Sequence, residues 1–303
     1  MTSPRPRTAA LRTGSALILV AILALFGCKR GESAERGPAP IRVTGIPDEN
    51  PTELAREYAP LVALLEARLG APVEYVPVTD YGAAVQALVA GTVDFAWLGG
   101  FTHVQARTLA EVEPLVMRDI DRDFHSVFIA NVDSGVEAIA DLKGKRFAFG
   151  AKSSTSGHLM PRHFLVEAHA IDPERDFAGA PVYSGAHDAT VVMVASGKVD
   201  AGALNMQVWE RVLAAGEVDT SAVRVIWETP GYVDYTWTAR SALPESTREA
   251  FKRAFLELDA RDPEHRAILD RLGAKAYVPA SPRDFDAIEA IARATGLLES
   301  PHD

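Results

Sequence analysis

The feature that most restricts the fold is an internal echo. Ala90-Gly91-Thr92-Val93-Asp94-Phe95-Ala96-Trp97 reappears as Ser196-Gly197-Lys198-Val199-Asp200-Ala201-Gly202-Ala203. Each copy follows a helix-like stretch opened at the same offset, by Tyr81 in one and His187 in the other. Two copies are too few for a solenoid, whose units bury a continuous core only by stacking. They suit two similar α/β lobes, each aiming helix N-termini past the carboxyl ends of its strands, where open α/β sheets bind ligands.

Local patterns agree with that reading. Ile41-Arg42-Val43-Thr44-Gly45 reads as a first strand, and Asn50-Pro51-Thr52-Glu53 supplies a cap, a proline in the first turn and an early acid. Leu54, Tyr58, Leu61, Leu64, Leu65 and Leu69 then give one apolar helical face. Strands follow at 73–77 and 93–97, and Gly99-Gly100 allows a tight turn into the next helix. Alternating strands and helices predict mostly parallel sheets. Ser126–Val132 reads as a long strand crossing to a second lobe, and 223–231 as the return crossing. The expected organisation is lobe 1 from 41–132 and 233–303, and lobe 2 from 133–232, with a hinge and cleft between them.

The chemistry concentrates in Ser153-Ser154-Thr155-Ser156-Gly157-His158-Leu159-Met160-Pro161. It follows the apolar run 146–150, which reads as a buried strand, and Pro161 puts a helix start near Gly157. The first N–H groups of a helix lack intrahelical partners, and its dipole favours negative charge. Hydroxyls, free N–H groups and a glycine there form a neutral cradle for a small anion. The same residues would also serve as an ordinary helix cap. His158 and His163 fit no common metal spacing and read as structural or surface residues, Trp97 as packing and Lys152 as solvated.

The N-terminus reads as an address. Arg5, Arg7 and Arg12 precede an apolar run from Ala16 to Phe26, the length of a signal segment and short for a membrane span. Leu25-Phe26-Gly27-Cys28 has the form of a bacterial lipobox, although Phe26 is bulky for it. Cys28 is the one cysteine in the chain, so no internal disulfide can form and lipidation best accounts for it. Residues 1–27 are then a lipoprotein signal peptide, and the charged, Gly- and Pro-containing stretch 28–40 a tether.

Charge excludes one class of partner. The formal net charge is −10, and removing the leader with its three arginines makes the remainder still more acidic. No basic footprint for nucleic acid exists. Any bound anion must be held by local dipoles. No nucleophile-elbow, phosphate-loop or zinc-protease motif is present, and no cofactor or metal site is expected.

With these residues assembled, the chain from Ile41 to its C-terminal helices resembles the phosphite/phosphonate-type substrate-binding proteins of ABC importers. The resemblance is carried by Thr79-Asp80-Tyr81, Val93-Asp94-Phe95-Ala96-Trp97, Asp141-Leu142-Lys143-Gly144-Lys145, Ser154-Thr155-Ser156-Gly157 with Pro161, and Gly185-Ala186-His187-Asp188. Stretches such as Trp97-Leu98-Gly99-Gly100-Phe101 are similar to a selenate-binding subgroup.

The resemblance implies a type II-like, two-lobe periplasmic-binding fold with two mostly parallel sheets and two crossover strands. It also implies a monomeric, lipid-anchored protein on the periplasmic face of the envelope, capturing one small tetrahedral oxyanion for a membrane permease. By position, Ser154, Thr155 and Ser156 would donate to the oxyanion, as would Tyr81 from the opposite lobe and His187. Asp234 would accept a proton carried by the ligand, which sets it against fully ionised selenate and sulfate. Gln207 stands where relatives that hold an aminophosphonate place an acid. Phe124 matches a second aromatic but cannot donate, and Asn205 is a further candidate contact. The competing readings are an extracytoplasmic sensor serving a signalling partner and a hydrolase using the Ser-rich loop.

Overall fold

A computed structural model of the chain describes residues 39–216 and 219–298. The proposed signal peptide, Cys28 and nearly all of the tether lie outside those residues. Two sheets organise the described body.

The first sheet contains β1 (Ile41–Gly45), β2 (Val73–Tyr75), β3 (Phe95–Leu98), β4 (Val112–Arg118), β10 (Thr236–Arg240) and β11 (Tyr277–Pro279), ordered β11-β4-β10-β3-β1-β2. The second contains β5 (Ser126–Asn131), β6 (Phe147–Phe149), β7 (Val182–Tyr183), β8 (Ala201–Asn205) and β9 (Val223–Glu228), ordered β7-β6-β8-β5-β9. Helices α1 (Pro51–Leu69), α2 (Tyr81–Val89) and α3 (Gly100–Leu109) belong with the first sheet. They are joined there by α8 (Glu245–Leu256), α9 (Pro263–Arg271) and α10 (Asp286–Ala294). Helices α4 (Met160–His169), the single turn α5 (Pro173–Asp176), α6 (His187–Ala195) and α7 (Met206–Ala215) belong with the second.

The echo in the sequence falls on equivalent elements. Its first copy runs from the end of α2 into β3 and its second from the end of α6 into β8. In each lobe the three parallel strands sit side by side, β2-β1-β3 and β7-β6-β8, with the echoed strand next to an antiparallel one. Every residue of β3 and of β8 is buried, as helix-covered parallel strands require.

Two expectations are corrected. The sheets are mixed: β10 pairs antiparallel with β3 and β4, and β5 pairs antiparallel with β8 and β9. The reason is topological. Parallel strands end at the cleft, so a chain arriving from the other lobe enters at that end and must run the opposite way. The second correction is that neither Ser126–Asn131 nor Val223–Glu228, which pair with each other inside the second sheet, is a crossing. Val127, Phe128, Ile129 and Ala130 are fully buried, and only a sheet interior hydrogen-bonds a backbone covered on both faces. The chain crosses instead on either side of an isolated antiparallel bridge between Phe124 and Tyr232.

Helix ends follow their local signals. Asn50 caps α1 by accepting from Thr52 N, and Asp80 caps α2 by accepting from Ala83 N. Pro60 lies inside α1, which nonetheless continues to a Gly70 cap with φ +63°. Aromatic packing fixes the first core, with Phe95 stacked on Phe251 at 3.8 Å between ring centres and Trp237 edge-on to Phe251.

Candidate functional site

The loops that leave the carboxyl ends of the strands meet between the two sheets. The Ser-rich loop leaves β6 and makes one wide turn from Thr155 to Leu159, in which Met160 N–H reaches back to Thr155 O, before α4 begins. Wide turns of this kind are rare and gather at functional sites. The turn starts at Thr155, two residues before the Gly157 start predicted from Pro161, because Ser154 is the cap: its Oγ accepts from Gly157 N at 2.9 Å.

Gly157 permits the packing. A Cβ there would lie 2.9 Å from His187 Cε1, 3.0 Å from Ser154 Oγ and 3.1 Å from Gly150 Cα. The glycine therefore brings the Ser-rich loop against the imidazole at the start of α6.

His158 is neither surface nor part of a triad. It is buried behind the loop. Its Nδ1 is 2.7 Å from the Lys152 carbonyl, and Arg162 Nε donates to its Nε2 at 3.0 Å. The carbonyl can only accept, so the proton sits on Nδ1 and the ring is neutral. Burial lowers its pKa to about 4. His158 thus clamps the strand-to-loop junction. Lys152 itself is exposed, its ammonium 5.4 Å from the Tyr183 ring centre.

Tyr81, Ser154, Thr155, Ser156, His187 and Asp234 are all buried, none more than 3% exposed, and they lie together. Tyr81 Oη is 3.5 Å from His187 Nε2, and the Ser154 hydroxyl is beside it. Asn205 N–H donates to His187 Nδ1 at 3.3 Å, which places the imidazole proton on Nε2, facing Tyr81. Burial lowers the His187 pKa to about 3, so the ring is a neutral donor. Burial also holds the Tyr81 phenol well above its ordinary value, keeping its proton.

The first lobe meets this cluster at the N-terminus of α3. Phe101 N donates to Thr155 Oγ1 at 3.0 Å and Gly100 N to Asp234 Oδ1 at 2.9 Å. Among the described residues, Asp234 Oδ2 and Ser156 Oγ are buried without any hydrogen-bond partner. Ser156 stands near enough to Asp234 and Tyr232 to lower both pKa values, yet bonds to neither. Burial raises Asp234 to about 7 against the opposing pull of Gly100 N–H and Thr155. The arrangement offers neutral donors, the N-terminal ends of helices and one carboxyl group that is half protonated near neutral pH.

The lesser candidates already have protein partners. Asn205 caps α7, its Oδ1 accepting from Gln207 N and Val208 N, while its Nδ2 donates to Tyr235 Oη at 2.9 Å. Gln207 accepts from Arg118 Nη1 at 2.8 Å and donates to Gly273 O at 3.1 Å. Phe124 is buried in the crossing, edge-on to Tyr232 and Tyr235.

Sequence reading missed Asp48 and Arg118. Asp48 O accepts from His187 N at 2.9 Å, and its carboxylate accepts from Tyr235 Oη at 3.0 Å. Arg118 is buried against Asp121 and lies 5.0 Å from the Tyr235 ring centre and 5.3 Å from that of Trp97. Burial alone would lower Arg118, but the adjoining Asp121 carboxylate holds it above its ordinary value. No local motif marks Asp48, whose partners His187 and Tyr235 are distant in the chain, and the local Arg118–Asp121 pair gives no sign of the Gln207 contact that brings Arg118 to the other lobe.

Two sheets joined by two crossings, with strand-end loops from both closing on a buried cluster of hydroxyl, imidazole and carboxyl groups, define a two-lobe substrate-binding protein. The chain belongs to the family of ABC transporter, phosphonate, periplasmic substrate-binding proteins, whose model matches residues 43–285. It is 38% identical over 268 residues to the "Probable ABC transporter phosphite binding protein PhnD1" of Prochlorococcus marinus (strain MIT 9301), covering 84% of this chain and 90% of that protein. The structure of that organism's PhnD1 in complex with methylphosphonate superposes with a TM-score of 0.82 at 36% identity, covering 85% of this chain and 98% of that one. A second relative, 27% identical over 307 residues, is the "Phosphate-import protein PhnD" of Mycolicibacterium smegmatis, with 94% of this chain and 96% of that protein covered.

Proposed function

We propose that Tyr81, Ser154, Thr155, Ser156, His187 and Asp234 enclose one phosphite or small alkylphosphonate ion for delivery to the permease of an ABC importer. The observation that carries this reading is the pair of unpartnered buried atoms, Asp234 Oδ2 and Ser156 Oγ, within a ring of neutral donors. A carboxylate faces an anion without repulsion only when a proton lies between them. Phosphoryl groups lose their second proton near pH 6, so ligand and Asp234 share one proton across the neutral range. Selenate brings no proton and enters only when Asp234 supplies it, which a value of about 7 allows at and below neutral pH. The likeness to the methylphosphonate-bound protein supports the phosphorus ligands.

Binding without turnover fits the geometry. His158 has both ring nitrogens engaged behind the loop, and His187 Nδ1 accepts a backbone N–H, so neither is set to act as base toward Ser154 or Ser156. A thermal-shift panel of phosphite, methylphosphonate, phosphate, sulfate and selenate tests the assignment. Stabilisation by phosphite or methylphosphonate is expected, and stabilisation by selenate alone would reject it.

We further propose a monomer held at the periplasmic face of the membrane by lipid on Cys28. Cys28→Ala should move the protein from the membrane fraction to the soluble fraction, and unchanged partition would refute the anchor.

A further inference from the structure

Apart from the donor ring, the lobes are tied together by a second set of contacts, carried on the lobe-2 side by α7 and its cap. Gln207 reaches into lobe 1, accepting from Arg118 Nη1 and donating to the Gly273 carbonyl. Arg211, one turn further along α7, forms an ion pair with Glu49 in the loop after β1. Asn205 donates to Tyr235, which donates to Asp48. These residues border a cavity of about 40 Å³ lined by Asp48, Glu49, Arg118, Gln207 and Arg211, among others. That is room for a few water molecules. It does not include Ser154, Thr155, Ser156 or His187.

We propose that Gln207 and Arg211 are positioning residues that set affinity by latching the lobes shut, without touching the anion. Both amide atoms of Gln207 have lobe-1 partners, so closure satisfies a partly buried side chain that opening would return to water. Arg118, the residue it grips, is itself fixed by Asp121 through Nε and Nη2 and by the Leu272 carbonyl. A rigid lobe-1 anchor therefore meets a rigid helix, an arrangement that holds one interlobe geometry rather than many.

The consequence follows from population shift. The anion is enclosed only in the closed form, so apparent affinity scales with the fraction of protein able to close. The latch raises that fraction equally for every ligand that fits the ring. It favours the closed form with or without the anion, and because the anion enters through the open form, losing the latch changes escape far more than encounter. A residue contacting the ligand would instead alter the preference between ligands.

The test measures Gln207→Ala and Arg211→Ala by stopped-flow tryptophan fluorescence with methylphosphonate and with phosphite. It adds small-angle scattering of the ligand-free protein. Expected are dissociation faster by roughly five- to tenfold, association within about twofold, an unchanged ratio between the two ligands and a larger ligand-free radius of gyration. The swap Glu49→Arg with Arg211→Glu should restore slow dissociation, which separates a lost latch from a damaged fold. A changed ligand ratio, or unchanged dissociation together with unchanged scattering, would overturn the proposal. Scattering needs no ligand, so it still tests the latch if methylphosphonate and phosphite both fail to bind.

Discussion

Replacing Asp234 by Asn isolates the shared proton. Asn keeps the shape and can still accept from Gly100 N, but its outward atom becomes a permanent donor. In the native protein, Asp234 titrates at about 7 and a phosphoryl ligand near 6, so above pH 7 neither partner retains the proton they need between them. Each pH unit above 7 then weakens binding by about 1.4 kcal/mol, a factor of ten. At pH 9 the penalty is about 2.7 kcal/mol, roughly a hundredfold. The variant needs no proton and should hold methylphosphonate with a flat profile from pH 7.5 to 9. At pH 6 it should bind more weakly than the native protein, because it loses a charge-assisted bond worth about 1.5–3 kcal/mol. The two profiles should therefore cross. Calorimetric titration of both proteins across pH 6–9 makes the comparison. A native profile that stays flat above pH 8, or a variant that keeps the tenfold slope, would refute the reasoning.

Other perturbations separate binding from stability. Ser156→Ala removes a hydroxyl with no protein partner, so melting of the ligand-free protein should hardly change while affinity falls by about 1–3 kcal/mol. Ser154→Ala removes the cap on Gly157 N as well, and should lower ligand-free stability by about 1 kcal/mol in addition. Unchanged affinity in both would remove the loop from the site. Gly157→Ala sets a methyl 2.9 Å from His187 Cε1, and overpacking of about 1–3 kcal/mol should accompany loss of binding, as melting and calorimetry together would show. Buried His103 and His187 titrate at about 3 and His158 at about 4, below the ordinary 6.5. Their contribution is fully present above pH 6.5 and is lost as pH falls toward those values. Asp234 has the opposite sign: its raised pKa favours the fold at low pH and loses that contribution as pH rises through 7. His103→Gln should thus lessen the acid loss between pH 6 and 4 by about 1.4 kcal/mol per unit in denaturant titrations, and an unaltered slope would contradict a neutral His103.

The α/β class, the two lobes, the Ser154-Thr155-Ser156 loop and the matched helix starts at Tyr81 and His187 were legible from local signals, whereas Asp234 was reached only through the family resemblance. Caps, glycines and buried strands repeat in the two halves, and the loops after parallel strands necessarily meet at one end. Strand direction was less legible. Whether Val127-Phe128-Ile129-Ala130 crosses between lobes or pairs inside one depends on partners such as β9, nearly a hundred residues onward, and not on its own apolar pattern. For a similar reason the sequence left His158 between a structural and a surface role. Its role comes from the Lys152 carbonyl and Arg162 closing on either side of the ring, and spacing reveals neither. Gln207 shows the limit of reasoning by position. An amide where relatives carry an acid reads as lost ligand charge, while its contacts here run to Arg118 and Gly273 on the facing lobe.

A crystal structure of the protein with methylphosphonate tests the central claim most directly. The phosphonate oxygens should lie within hydrogen-bond distance of the 154–156 loop, Tyr81 Oη and His187 Nε2, with one of them about 2.5–2.7 Å from Asp234 Oδ2, the separation of a charge-assisted O–H···O bond. An anion bound elsewhere, or one whose nearest oxygen avoids Asp234 altogether, would contradict it.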